Sequence, residues 1–291
     1  MKRLLVIILA LTALTGVCRA AVPEKDIVID TLVYARPGGC PLSMYLVRPS
    51  DGQESLPCIV FVPGSAWKKQ RMGGSMKYAV PMARRGFAVA CVEYRPCSVA
   101  LFPAQVEDAK TAVRFLRRRA EDFRVDPANI FAWGTSSGAH TLLLLAFSQD
   151  SSLMDPEPAD PVPCRVNAVV DFYGPTELVH EFRITKGYQE NPDANGGLLL
   201  GDPVEQKRDV ALKASPLYYV HPYAVPVLAV HGDADKVVPV VQTYWMKERM
   251  EECGARVESL ILPGQGHGGA AFLSADVLDR CEAFIRSCMA S

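Results

Sequence analysis

The chain has 291 residues, 49% of them hydrophobic, with 31 Lys and Arg against 32 Asp and Glu for a formal charge of −1. That balance gives no electrostatic reason to expect nucleic acid or an anionic membrane surface as a partner. The composition excludes a disordered or collagen-like chain, and the length suits one large α/β domain or two smaller ones.

At the N-terminus, Lys2 and Arg3 precede an apolar run from Leu4 to Leu14, followed by Gly16 and "CRAA". A positive start, a short apolar run and a small-residue exit describe a secretory signal peptide over residues 1–20, cleaved after Ala20. The run is short for a membrane span, so a secreted or periplasmic protein without stable membrane insertion is expected. Lipid attachment at Cys18 is the weaker alternative, because Val17 is bulky for that signal. Eight of the nine cysteines remain after cleavage. An even count permits disulfides in an exported protein. However, Cys58 and Cys91 fall in expected buried strands, and Cys281 and Cys288 share one face of the last helix. Buried free thiols are therefore the expectation.

"DIVIDTLVYA" and "PLSMYLVRP" alternate as two early strands, an antiparallel hairpin. "CIVFV" (Cys58–Val62) is short and wholly apolar, as expected of a strand covered on both faces. A helix over Ser75–Arg85 stops at Gly86, and "FAVACVEY" is the next buried strand. Helical spacing then links Val106, Ala109, Val113, Leu116, Ala120 and Phe123, with Arg117, Arg118 and Arg119 read as a solvated face. "NIFAWG", "VNAVVDFYG", "PVLAVHGD" and "VESLILPG" read as strands. Between and after them come helices at "AHTLLLLAF", near Val240–Glu252, and over Ser274–Cys288. This alternation implies a mostly parallel sheet with helices on both faces, one domain over 21–291. Ser148–Pro163 is an acidic, proline-rich loop. The stretch 173–215 is a long insertion expected to wall a pocket, as long loops in compact domains often do.

Within "IFAWGTSSGAH", Gly134-x-Ser136-x-Gly138 follows a strand and precedes a helix. A serine on so sharp a turn stands proud of the sheet edge, and flanking glycines keep side chains from colliding with strand and helix. This selects Ser136 over Ser137, whose backbone N–H would face a forming oxyanion. A serine hydroxyl needs a base, and the base an orienting carboxylate, following it in the order acid then histidine. Of the five histidines, His140 lies in the helix behind Ser136 and reads as structural. His180 and His221 fall inside or beside the insertion, and His231 precedes any candidate acid. His267, in "PGQGHGG" beyond the last strand, is placed to reach Ser136. "HGDADKVVP" offers Asp233 and Asp235 as the acid, and spacing does not choose between them.

"GTSSG", "HGDADKVVP" and "GQGHG" together resemble the α/β-hydrolase superfamily. The resemblance is greatest to its bacterial carboxylesterase branch of acetyl-xylan and feruloyl esterase-like proteins, related to hormone-sensitive-lipase-like esterases. "FPAQVEDAKTAVRFLRRRAEDFRVDPANIFAWGTSSG" and "ASPLYYV" are similar to the same branch, over roughly Leu56 to the C-terminus. The resemblance implies an α/β-hydrolase fold with a lid-like insertion, and it matches Asp235 to the family acid. It implies a serine esterase acting on small-molecule or glycan esters without metal or organic cofactor. The chain departs from the family at "PGSAW" (Pro63–Trp67), where relatives carry His-Gly-Gly-Gly-Trp. The matching oxyanion donors would be the amides of Ser65 and Ala66, with that of Ser137. Two other readings are compatible with the chain: a prolyl-oligopeptidase-like serine peptidase, and a catalytically silent hydrolase-fold binding protein.

Overall fold

The computed structural model describes residues 26–52, 55–180 and 191–290. The expected signal peptide lies outside them, as does part of the insertion, residues 181–190. Eight strands form a single sheet: β1 (Ile27–Ala35), β2 (Leu42–Pro49), β3 (Leu56–Val62), β4 (Ala88–Val92), β5 (Val125–Thr135), β6 (Val169–Phe172), β7 (Val227–Gly232) and β8 (Val257–Leu262). Their order is β1-β2-β4-β3-β5-β6-β7-β8. β1 runs antiparallel to β2, and β2 antiparallel to β4; the remaining neighbours are parallel. Interleaved helices are α1 (Met76–Arg84), α2 (Ala104–Arg118), α3 (Ala120–Phe123), α4 (Ser137–Phe147), α5 (Asn195–Leu200), α6 (Arg208–Lys213), α7 (Val241–Glu252) and α8 (Ala275–Ser287). The molecule has the α/β-hydrolase fold.

Two-residue periodicity divides each central strand between two cores. In β3, Cys58, Val60 and Val62 join one core while Ile59 and Phe61 join the other; in β5, Ile130 and Ala132 oppose Phe131 and Trp133. The first core is completed by α2, α4 and α7, the second by α1 and α8. All of α4 is buried, which explains why "AHTLLLLAF" has no polar stripe. Each of its four leucines contributes roughly 1.5–3 kcal/mol of burial before the entropy of ordering is subtracted. That packing presses the start of α4 against the sheet.

Val106, Ala109, Val113, Leu116, Ala120 and Phe123 are all buried, but the triple arginine is not simply a solvated face. Arg117 is only half-exposed and donates to the carbonyls of Pro127 (3.1 Å), Arg165 (2.9 Å) and Pro163. Arg118 pairs with Glu157 and Asp160. With the buried, two-pronged pair between Arg114 and Asp155 (2.7 Å each), these contacts tie the Ser148–Pro163 loop to α2. The acidic composition of that loop thus answers the basic face of the helix, a long-range pairing that composition does not reveal. All eight described cysteines are free: Cys58, Cys91, Cys164 and Cys281 are buried, and the other four are half-buried. Burial pushes the Cys58 and Cys91 thiols up to about 12.

Parallel strands bring their carboxyl ends to one edge. Val62 pairs with Gly134, Thr135 with Phe172, and Gly232 with Leu262. The segments leaving β3, β5, β6, β7 and β8 therefore meet there, carrying the Pro63–Trp67 loop, Ser136, Tyr173, Asp235 and His267.

Candidate active site

Ser136 takes φ 51° and ψ −126°, a conformation that costs a non-glycine residue on the order of 1–3 kcal/mol. The neighbours enforce it. A Cβ on Gly134 would lie 2.4 Å from the Ala139 nitrogen, and one on Gly138 only 2.0 Å from the Val62 carbonyl oxygen. Bare backbone at both positions lets α4 start against β3 and β5, and the serine between them is forced outward.

His267 connects the other two residues. Its Nε2 lies 2.8 Å from Ser136 Oγ, and its Nδ1 lies 2.6 Å from Asp235 Oδ2. Asp235 is fully buried at its side chain, and its Oδ1 accepts the amides of Val237 (2.8 Å) and Val238 (3.0 Å). His231 Nε2 approaches Oδ2 at 3.3 Å. Burial would raise the Asp235 carboxyl. The hydrogen bonds from His231 and His267 outweigh it and hold the group well below the usual carboxylate range. Asp233, the other acid in "HGDADKVVP", instead accepts the Gly264 amide at 2.6 Å, bracing the turn that leads to His267.

The Pro63–Trp67 loop adopts left-handed backbone at Ala66 (φ 54°) and Trp67 (φ 55°) without glycine at either position. Side-chain bonds hold it. Gly64 N–H donates to Thr135 Oγ1 (2.8 Å), and Trp67 Nε1–H donates to His140 Nδ1 (3.2 Å). His140 Nε2–H in turn donates to the Ala214 carbonyl (2.7 Å). This chain needs the neutral imidazole, and burial accordingly lowers His140 to about 4.

The three expected oxyanion amides are not equivalent. Ser65 N–H donates to Ser137 Oγ at 2.9 Å, so its amide is engaged in this structure. Ser137 N–H opens α4, where helix geometry leaves it without an intrahelical acceptor. It and Ala66 N–H have no protein acceptor among the described residues. The buried Tyr94 hydroxyl completes the network, 3.0 Å from Ser65 Oγ and 3.2 Å from Ser137 Oγ. The Ser137 hydroxyl thus ties the Pro63–Trp67 loop and Tyr94 to the start of α4.

A cavity of about 620 Å³ opens over Ser136 and His267, a size suited to a small organic ligand. Tyr173, Pro175, Leu178 and Asn195, from the 173–215 stretch, line part of it. The Tyr173 ring lies with its centre 4.6 Å from that of the His267 ring, the two planes tilted by 59°.

Comparison with known proteins gives this geometry a family. Residues 43–250 match the model of the BD-FAE family. The chain belongs to the BD-FAE family. Among its relatives, esterase LipC of Mycobacterium tuberculosis is 30% identical over 218 residues, covering 73% of this chain and 53% of its own. Esterase LipQ of the same organism is 30% identical over 231 residues, covering 72% and 50%. The chain therefore spans about half the length of these relatives. A solved structure described as a truncated form of a carbohydrate esterase from gut microbiota superposes with a TM-score of 0.80. It has 25% identity and covers 91% of this chain and 98% of that one.

Within this BD-FAE chain, sequence reasoning did not find Tyr94, His231 or the Trp67–His140 pair. In the sequence, His231 precedes the candidate acid, an order that argues against it as the base. It is nonetheless buried between Thr243 Oγ1 (2.8 Å) and the Val238 carbonyl (2.9 Å), supporting the acid turn. Its one sequence signal was its place at the buried end of an apolar strand, where an imidazole requires polar partners.

Proposed function

We propose that this protein is an exported serine carboxylesterase, hydrolysing small-molecule or glycan esters through an acyl-enzyme on Ser136. The observation that carries the proposal is the single imidazole of His267 bridging Ser136 Oγ and Asp235 Oδ2 at 2.8 and 2.6 Å. With Nδ1–H donated to the carboxylate, Nε2 is left as an acceptor for the serine proton. Ser136 Oγ bonds the ester carbonyl carbon as His267 takes that proton, and Asp235 steadies the imidazolium. The oxyanion accepts the amides of Ala66 and Ser137, each worth about 3 kcal/mol in such a role. The ester C–O bond then breaks, and His267 returns its proton to the departing alkoxide. Water, deprotonated by His267, releases the acid and regenerates Ser136.

Relatives that are esterases, and a superposable carbohydrate esterase, support ester hydrolysis as the activity and acyl groups on polysaccharides as substrates. The N-terminal sequence supports export. No helix among the described residues is long and apolar enough to cross a membrane.

Turnover of short para-nitrophenyl esters, with labelling by a fluorophosphonate, tests the reading. Ser136→Ala should lower kcat by roughly 10⁵- to 10⁶-fold and abolish labelling. Activity near that of wild type in this variant would reject Ser136 as nucleophile. Well-folded wild type that neither labels nor hydrolyses esters would indicate a silent scaffold instead.

A further inference from the structure

The cavity over Ser136 has a strong sign of charge. Lys68, Lys69, Arg71 and Lys77 all line it, all four are exposed, and none of its described lining residues is Asp or Glu. The whole chain has 31 basic and 32 acidic residues, so the imbalance is local to this mouth. None of the four is ion-paired among the described residues; Lys77 only lies over the Tyr78 ring, 5.2 Å from its centre. Several basic residues elsewhere do find acids: Arg85 pairs with Asp279 and Glu282, Arg95 with Glu107 and Asp108, and Lys247 with Glu251.

The four cations also have a defined place. Lys68 and Lys69 follow directly on the Pro63–Trp67 loop, Arg71 soon after, and Lys77 lies in α1; Lys68 N–H donates to the Ser65 carbonyl at 3.1 Å. Their charge therefore lines the same cavity as Ser136 and His267. Like charges gathered in a cleft repel one another, and low-dielectric walls focus their field outward. The remaining walls include Trp67, Tyr173, Leu178 and Val238, so the cavity offers an apolar surface beside a cationic rim. A neutral ester would use only the first.

We propose that the site selects esters bearing a carboxylate, the anion being held by Lys68, Lys69, Arg71 and Lys77. This deepens the esterase reading and rests on it for turnover. The hydrolytic steps at Ser136 are unchanged; the cations act on binding and encounter. The carboxylate can be carried on the acyl side, as in a dicarboxylic hemi-ester, or on the alcohol side, as in a uronic acid.

Two matched pairs distinguish those sources. The first is the para-nitrophenyl hemi-ester of adipate against the same compound with its free carboxylate capped as an amide. The second is mono-acetylated glucuronate against mono-acetylated glucose. In at least one pair, kcat/KM should favour the charged member by about tenfold at low salt, and that ratio should fall at least about threefold when rising salt shortens the Debye length. The double variant Lys69→Glu, Arg71→Glu should invert the ratio. Ratios near unity in both pairs, or ratios indifferent to salt and to charge reversal, would overturn the proposal while leaving the esterase reading intact. Calorimetric binding of the same four esters to Ser136→Ala protein separates the opposite case. Selective binding of the charged esters, lost on charge reversal, sustains the proposal even if wild type hydrolyses none of them. Equal or absent binding overturns it.

Discussion

Ser136 and the Pro63–Trp67 loop lie at the ends of adjacent strands and face the same cavity, yet they are held in different ways. At the serine, backbone meets backbone: Gly134 and Gly138 leave no room for a methyl group, and an entirely buried helix presses the turn into place. At the loop, bare backbone matters only at Gly64, where a Cβ would stand 2.6 Å from the Thr135 carbonyl oxygen, and beyond it side chains do most of the holding. Trp67 is tied to His140, the Ser65 amide to the Ser137 hydroxyl, and Tyr94 to both serines. A steric lock of the first kind fails all at once when atoms are added. A hydrogen-bonded strap of the second kind fails by degrees as single bonds are removed.

Gly138→Ala is the largest break. Its methyl group would stand 2.0 Å from the Val62 carbonyl oxygen, so β3 and α4 must separate. A loss of at least about 4 kcal/mol is expected, read as a collapse in soluble yield or a large fall in the urea midpoint.

His140 joins the two regions and gives a smaller, pH-dependent effect. Burial holds it at about 4 when folded, against about 6.5 when unfolded. The unfolded chain therefore binds the proton first as acid is added. Stability present above about pH 6.5 is lost as pH falls toward 4, on the order of 3 kcal/mol from this group. Urea midpoints followed from neutral to acid pH should show the loss, and His140→Gln should flatten that slope. An unchanged slope in the variant would assign acid sensitivity elsewhere.

Tyr94→Phe tests the strap most gently. It removes the hydroxyl contacts to Ser65 and Ser137 and leaves the Ser65–Ser137 bond in place. A net hydrogen bond of about 1 kcal/mol corresponds to roughly a five- to tenfold fall in kcat/KM on a short ester, carried in kcat. A wild-type kcat would show that the loop needs no help from Tyr94.

The same contrast explains what could be read in advance. The glycine lock is local, two glycines around one serine between a strand and a helix, and short-range patterns are what a sequence displays. Asp235 and His267 can be nominated from sequence because parallel topology sends each strand end to one edge in chain order. Asp235 could be separated from Asp233 only through family resemblance; in space the choice rests on which carboxylate is buried behind His267. The strap joins residues 73 apart, Trp67 to His140, and 43 apart, Tyr94 to Ser137. Nothing local in "PGSAW" or "VEYRP" announces such partners. The Ser65 amide looked available for the same reason, since its acceptor is a hydroxyl on a distant element. Arg117 was misplaced on similar grounds: a charge run in a helix gives no sign of carbonyls waiting across a loop.

The free thiols described above have a practical consequence. Cys58 belongs to one core of the sheet, and Cys91 and Cys281 belong to the other. Thiols so buried are inert until the structure around them opens. The chain thus carries an intrinsic gauge on each side of its sheet. The order in which these cysteines become alkylated during unfolding records whether the helices of one face peel away before those of the other, with no reporter group added to the protein.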